Sequence, residues 1–279
     1  MSNLIRLRLE EALSPSMLND FELLRQSTPV IEATFRSGGW LCGGFARHLL
    51  IGGSTENYLS GHRGSGSPAR SGDVDLFFPN VATASRVISS ECAHANPSQG
   101  GFAKEAGGRW RRNHVKVQLV DHPDLVQPTI ESTLANFDLV NCQVGIDGEH
   151  IYFPEDWKEI ERMRLIRIAH NSTPFLGSRI LKYLEHRGLE GLTQDSYEKL
   201  HGWFAYACND FTEGGWSPRH IAGVQGNVKK LREKGLVRRE DLIFFLNKWK
   251  ELIREKHYGR NFSYEVDWAA NELGTEAHI

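Results

Sequence analysis

Asp73 and Asp75 stand two residues apart in Gly72-Asp73-Val74-Asp75-Leu76-Phe77-Phe78. Side chains alternate faces along a strand, so both carboxylates emerge on one side of a strand here. Val74, Leu76 and Phe78 then point the other way, into a core. Neighbouring carboxylates repel unless a cation sits between them. An oxygen-only pair favours a hard cation, Mg²⁺ or Mn²⁺, which also neutralises phosphate oxygens. Upstream, Gly43-Gly44-Phe45-Ala46-Arg47 is a glycine pair running into a helix-like segment. The first amides of such a helix would face an approaching phosphate. A phosphate cradle with a divalent-metal clamp is the minimal apparatus for nucleotidyl transfer.

The elements that must position these residues are readable in outline. Trp40-Leu41-Cys42 makes a short buried strand ending at the glycine pair, and Phe45 to Ile51 continues as a helix. Residues 14–36 read as helical, divided at Pro29. Gly53 to Gly72 holds five Gly and five Ser together with Arg63 and Arg70, the composition of a mobile surface loop. Lying beside the carboxylates, it is also placed to act as a substrate-contacting flap. Val81 to Ala95 reads as a helix. Phe102 to Ala106 and His114 to Val120 read as a hairpin-like strand pair bridged by Gly107-Gly108-Arg109. Pro128 to Ala135 is a short helix, and Val140 to Ile146 with His150 to Phe153 forms a hairpin around Asp147-Gly148. From Pro154 the pattern turns helical, over roughly 154–163, 174–188, 194–211, 218–234 and 239–257. Pro174 suits a helix first turn.

The run Gly43-Gly44-Phe45-Ala46-Arg47-His48-Leu49-Leu50-Ile51-Gly52, followed by Asp73-Val74-Asp75, resembles the head of the polymerase-β-like nucleotidyltransferase superfamily. It is most similar to the branch of bacterial poly(A) polymerases and CCA-adding tRNA nucleotidyltransferases, whose motif reads GGxVRDxLLG…DxD. His48 replaces the usual Asp. Asn136-Phe137-Asp138-Leu139-Val140-Asn141-Cys142-Gln143-Val144 is similar to that branch's RRDFTINAxA segment. The resemblance covers roughly residues 38–190. It implies an α+β fold: a small mixed β-sheet catalytic domain with flanking helices, followed by an all-helical domain. The expected division is an N-terminal helical segment over 1–37, a catalytic domain over 38–160 and a helical nucleotide- or substrate-binding domain over 161–279.

The resemblance makes Asp73 and Asp75 the metal ligands and catalytic carboxylates, with Mg²⁺ or Mn²⁺ as cofactor. Asp138 binds substrate or metal; Gly43, Gly44 and Arg47 contact the nucleotide. The superfamily supplies a third carboxylate from a later strand. Gln118 stands at the expected place, and an amide offers one neutral oxygen and cannot act as a base. Asp121, at a strand end, is a weaker substitute. Arg179, Lys182 and Tyr183 fall at i, i+3 and i+4 on one helix and share a face. By the same resemblance Arg179 and Lys182 contact the base or triphosphate; a surface charge stripe is the competing reading.

Composition bounds the rest. The 279 residues suffice for a full core, and 40% hydrophobic with 24% charged residues is ordinary for a globular protein. No apolar run approaches the ~20 residues that cross a bilayer. The N-terminus lacks the pattern of a secretory signal. Four cysteines, Cys42, Cys92, Cys142 and Cys208, lack CxxC spacing and read as reduced structural thiols. The expected location is the cytoplasm, with no membrane partner. Net charge is −2, but Arg219 to Arg239 holds seven Lys or Arg against Glu233 alone. Such a stretch is either a phosphate contact or a solvated helix face.

The leading expectation is therefore a metal-dependent enzyme moving a nucleoside monophosphate from a nucleoside triphosphate to an acceptor hydroxyl, an RNA (tRNA-like) 3′ end being favoured. Nucleotidylation of a protein or small molecule is the alternative, toward which the modest net charge and the lack of a long tRNA-binding tail lean. A degenerate binding module, suggested by Gln118, is the third.

Overall fold

The computed structural model describes residues 3–60, 72–92, 103–105, 109–112, 115–123, 125–170, 175–213, 218–243 and 247. The chain divides into two compact units, Met1–Ile160 and Glu161–Ile279.

In chain order the first unit contains β1 (Leu4–Arg8), α1 (Leu9–Ala12), α2 (Pro15–Ser27), α3 (Pro29–Arg36), β2 (Trp40–Cys42), α4 (Gly44–Leu50) and α5 (Thr55–Ser60). It continues with β3 (Val74–Phe77), α6 (Val81–Glu91), β4 (Ala103–Glu105), β5 (Arg109–Arg112), β6 (Val115–Leu119) and α7 (Ile130–Ala135). A 3₁₀ turn (Val140–Cys142), β7 (Gly145–Ile146), β8 (His150–Pro154) and α8 (Trp157–Arg162) complete the elements that begin here. The eight strands form one sheet in the order β1-β8-β7-β2-β3-β6-β5-β4. It is mixed because β3 and β6 run parallel while the other pairs are antiparallel.

Alternation decides which face is buried. Leu41, Val74, Leu76, Phe78, Val117, Leu119, Ile151 and Phe153 join Phe21, Val30, Ile31, Ala84 and Val87 from the helices in one apolar core. The opposite face carries Trp40, Cys42, Asp75, Phe77 and Tyr152. A smaller cluster roofs part of it, with Ile130 and Leu134 of α7 over Trp40, Cys42 and Tyr152. The Trp40 indole Nε1 donates to Thr133 Oγ1 at 3.0 Å and ties α7 to the sheet.

Several elements depart from the sequence expectation. Leu4–Arg8, expected within a helical N-terminal segment, is a strand paired antiparallel with β8, and Ile5 and Leu7 pack on the core. Residues 53–60 are not plain surface loop: α5 forms there and buries Thr55, Tyr58 and Leu59. The expected pairing of 102–106 with 114–120 is interrupted by β5, which lies between β4 and β6. Val140–Cys142 is a 3₁₀ turn, so the final hairpin starts only at Gly145. The Gly107-Gly108 bridge, residues 61–71, Pro174 and most of the expected 239–257 helix lie outside the described residues.

The second unit is helical, with α9 (Leu176–His186), α10 (Gln194–Glu213) and α11 (Pro218–Glu233). One exception to the all-helical expectation is a two-residue parallel ladder, β9 (Leu165–Ile166) with β10 (Gly191–Leu192). No described helix is long and apolar enough to cross a membrane.

Candidate active site

Strand register assembles the site. Cys42, the last residue of β2, pairs with Asp75 of β3, and Asp75 pairs with Gln118 of β6. On the far side Cys42 pairs with Gly145, and Gly145 with Tyr152. These residues form one cross-strand row, with Asp75 and Gln118 side by side within it. Asp73 precedes β3 and is half-buried like Asp75, between fully buried Gly72, Val74 and Leu76.

The glycine pair meets this row directly. Gly43 has φ +88° and ψ −141°, a conformation reserved in practice for glycine. A Cβ there would lie 3.1 Å from Phe137 Cε1 and 3.6 Å from Asp75 Oδ2. The missing side chain thus leaves a space between an aromatic edge and a carboxylate. Gly43 N–H is spent on Val144 O at 2.9 Å, so an anion in that space would meet amides from Gly44 onward. Since α4 has seven residues, close backbone approach is a better account of the cradle than a macrodipole.

Asp138 follows α7 and is 2% exposed. The residue before it is Phe137, whose ring lies 5.8 Å from that of Phe77 on β3 and against Gly43. Phe137 therefore lies against both Gly43 and the strand that carries Asp75. Arg47 lies inside α4 at 3% exposure and is engaged by neighbouring groups. A buried guanidinium is sustained only by such partners, which favours an internal positioning role over direct triphosphate contact. His48, in the family's Asp place, does not face solvent freely: its Nε2 pairs with Ser54 O at 2.8 Å, and its ring lies 4.9 Å from that of Tyr58.

Electrostatics register the carboxylate. The Cys42 thiol is pushed well above its ordinary range, first by burial and then by the negative charge of Asp75. Farther along the row, Tyr152 is pushed up to about 12 by burial and by its hydrogen bond to Asp147. Among the described residues, no group of three or more His, Cys, Asp or Glu is arranged to hold a metal. Two carboxylates still fit Mg²⁺, which is commonly held by one or two carboxylates with substrate phosphates and water. Gln118 adds a neutral oxygen at the neighbouring register position, and Asp121 is exposed beyond the strand.

In the second unit, Arg179 and Lys182 lie on the exposed side of α9, while Tyr183 is buried. The expected common face is therefore only a pair. Within the basic stretch, Arg238 pairs with Glu198 at 2.6 Å, Lys234 lies 3.9 Å from Glu185, and Arg232 donates to Val237 O. Sequence reasoning missed Phe137 and Tyr58. The first stands next to Asp138 and had that adjacency as a signal; the second had none.

No protein-family model matches the sequence, and no curated protein does. Solved structures of CCA-adding enzymes are similar in fold. A CCA-adding enzyme with CTP aligns at TM-score 0.49 and 14% identity, over 98% of this chain and 64% of that one. The chain thus spans less than two thirds of that enzyme's length. The Thermotoga maritima CCA-adding enzyme complexed with tRNA aligns at TM-score 0.49 and 12% identity, over 97% of this chain and 72% of that one. The Bacillus stearothermophilus CCA-adding enzyme in complex with CTP aligns at TM-score 0.44 and 15% identity, over 90% and 68%.

Proposed function

We propose that the chain is a metal-dependent nucleotidyltransferase that moves a nucleoside monophosphate from a nucleoside triphosphate to an acceptor hydroxyl, with an RNA 3′ end as the acceptor. The observation that carries this reading is the contact between cradle and carboxylate: a Cβ on Gly43 would lie 3.6 Å from Asp75 Oδ2. A phosphate seated against the glycine backbone is thereby beside an anion, an arrangement that needs a cation between them. Asp73 and Asp75 would hold Mg²⁺ or Mn²⁺, which supplies charge neutralisation at the triphosphate and activation of the acceptor oxygen. Gly43 and Gly44 admit the phosphates, and buried Asp138 is the proposed substrate or metal contact. Arg47 stiffens α4, and Arg179 and Lys182 are the proposed nucleotide contacts of the second unit. Most of the catalytic work of such a site is positioning and charge neutralisation. The order of Gly43-Gly44, Asp73-Val74-Asp75 and Asp138 along the chain supports the same reading, as does the register that sets Gly43 beside Asp75.

The test is incubation of the purified chain with each α-³²P-labelled nucleoside triphosphate, Mg²⁺ or Mn²⁺, total RNA and cell lysate. Products are resolved as RNA and as protein, with Asp73→Ala/Asp75→Ala as control. Label in RNA that vanishes in the control is the expected result. Label on a polypeptide would move the acceptor to protein. Absence of label together with absence of Mg²⁺–nucleotide binding would leave only a binding module, the reading that Gln118 favours.

A further inference from the structure

We infer that His48 is a positioning residue for Asp73, acting through Tyr58 and Gly72; this rests on Asp73 being a metal ligand of the nucleotidyltransferase proposed above. The two carboxylates are held differently. Asp75 lies within the ladder, paired with Cys42 on one side and Gln118 on the other. Asp73 precedes β3, and the pairing of β3 with β6 starts at Val74 and Val117. That pair fixes the backbone on the C-terminal side of Asp73, and Gly72 fixes it on the N-terminal side. Gly72 is buried, and its N–H donates to Tyr58 O at 2.8 Å. A Cβ on it would run into the Tyr58 ring, so the ring lies directly against the glycine backbone. Consecutive Cα atoms are about 3.8 Å apart across a rigid peptide, so a displaced Gly72 displaces Asp73.

Tyr58 is in turn held by His48. The imidazole Nε2 meets Ser54 O at 2.8 Å, and the ring lies 4.9 Å from that of Tyr58. Ser54 directly precedes α5, and its carbonyl also accepts from Tyr58 N, one turn on, at 3.1 Å. One side chain of α4 therefore grips α5 at two points a turn apart. A carbonyl oxygen only accepts, so Nε2 carries the hydrogen of this bond. His48 stands where the resembled motif has Asp, and a carboxylate there would have no hydrogen to give. The turn between the helices closes tightly on the imidazole: a Cβ on Gly53 would run into it. Phe45, also on α4, completes the seat with its ring 5.3 Å from that of Tyr58. The line His48, Tyr58, Gly72, Asp73 thus runs through contacts at every step.

The test reads backbone and metal separately in the full chain. Amide hydrogen exchange at Gly72, followed by NMR, reports its bond to Tyr58. Mn²⁺ titration followed by electron paramagnetic resonance reports the carboxylates. His48→Leu fills similar space without a donor. It should speed exchange at Gly72 and weaken Mn²⁺ roughly tenfold, the lower end of what losing support around a metal ligand costs. His48→Gln keeps an N–H for Ser54 O and should stay within about threefold of the parent in both measurements. Gly53→Ala drives a methyl group into the imidazole and should reproduce the His48→Leu effects with His48 still in place. In an Asp73→Asn background no carboxylate remains at 73 to be misplaced, so His48→Leu should change Mn²⁺ affinity by less than about twofold. Gly72 exchange or Mn²⁺ affinity unchanged in both His48→Leu and Gly53→Ala would overturn the positioning role. So would an undiminished Mn²⁺ loss in the Asp73→Asn background, or a His48→Gln variant as weak as His48→Leu. Parent Mn²⁺ binding that is indifferent to Asp73→Asn is a distinct result: it would remove Asp73 as a ligand, and with it both the nucleotidyltransferase reading and this inference.

Discussion

Gly43 and Asp75 face each other across a gap that a single methyl group would close: a Cβ at residue 43 would lie 3.6 Å from Asp75 Oδ2 and 3.1 Å from Phe137 Cε1. The two residues come from different parts of the chain, Gly43 directly after β2 and Asp75 within β3. Their approach follows from the register that sets Cys42 opposite Asp75.

Gly43→Ala should therefore hurt twice. The backbone at φ +88° and ψ −141° disfavours any L side chain, at a cost of about 1–3 kcal/mol. The methyl group also occupies the cradle against Phe137. Urea unfolding should report the first effect, and loss of Mg²⁺–nucleotide binding the second. Gly52→Ala is the control: it shares a positive φ of 79° but has nothing within 4 Å of its would-be Cβ. Equal nucleotide affinity in the two variants would remove Gly43 from the site.

Asp75 and Gln118 occupy adjacent register positions, which separates the charge they offer a cation. Asp75→Asn should slow transfer roughly a hundredfold or more, the scale of losing a preorganised electrostatic partner. Gln118→Leu should cost far less if two carboxylates suffice. Gln118→Asp brings a third carboxylate beside Asp75 and should tighten Mn²⁺ roughly tenfold, equivalent to ~1.4 kcal/mol. Transfer of α-³²P-labelled nucleotide measures the first two, and Mn²⁺ titration followed by electron paramagnetic resonance the third. A Gln118→Leu variant as inert as Asp75→Asn would show that the amide oxygen is indispensable.

How much of this was legible in the sequence follows from the range of each signal. Alternation around Asp73 and Asp75 is local, and burial of Val74, Leu76 and Phe78 agrees with it. The helices α8 to α11 agree with the sequence pattern for the same reason. Leu4–Arg8 also alternates, but its status as a strand depends on pairing with His150–Pro154, nearly the whole first unit away. In α5, the serine- and glycine-rich surroundings hid three inward-facing residues, Thr55, Tyr58 and Leu59. Arg47 illustrates the site's limit: spacing places it one turn beyond the glycines, whereas packing determines that it is buried. Phe137 was read only as part of a motif, although its ring lies against both Gly43 and Phe77.

Gly72 offers a test of how Asp73 is held. Its N–H donates to Tyr58 O at 2.8 Å, and a Cβ on it would run into the Tyr58 ring. Tyr58 is wedged between Phe45 and His48, so its ring cannot swing aside cheaply. Gly72→Ala should destabilise the chain by about 1–3 kcal/mol through overpacking and displace the carboxylate that follows it. Combining it with Tyr58→Ala should recover part of the loss, a coupling of about 0.5–3 kcal/mol expected only for groups in contact. Strictly additive unfolding free energies would show that the ring does not seat the residue.

The far end of the sheet supplies a pH signature. The Tyr152 hydroxyl donates to Asp147 Oδ2 at 2.7 Å, while the His150 and Glu149 amides donate to Asp147 Oδ1 at 2.8 and 3.0 Å. Burial pulls the Asp147 pKa upward, yet these hydrogen bonds and the His150 charge bring it below the usual carboxylate value. A folded-state pKa below the unfolded one contributes stability above the unfolded value of ~3.9, and this is lost as pH falls through the folded value. Tyr152 has the opposite sign. Its folded pKa is about 12, so its contribution is full below the unfolded value of ~10 and fades as pH rises from there toward 12. Tyr152→Phe should abolish that alkaline share of the pH dependence. It should also move the acid limb to higher pH, because Asp147 loses a donor. Urea midpoints of the parent and Tyr152→Phe between pH 3 and 12 give both differences directly. An alkaline limb identical in the two proteins would mean that Tyr152 ionises no later in the folded chain than in the unfolded one.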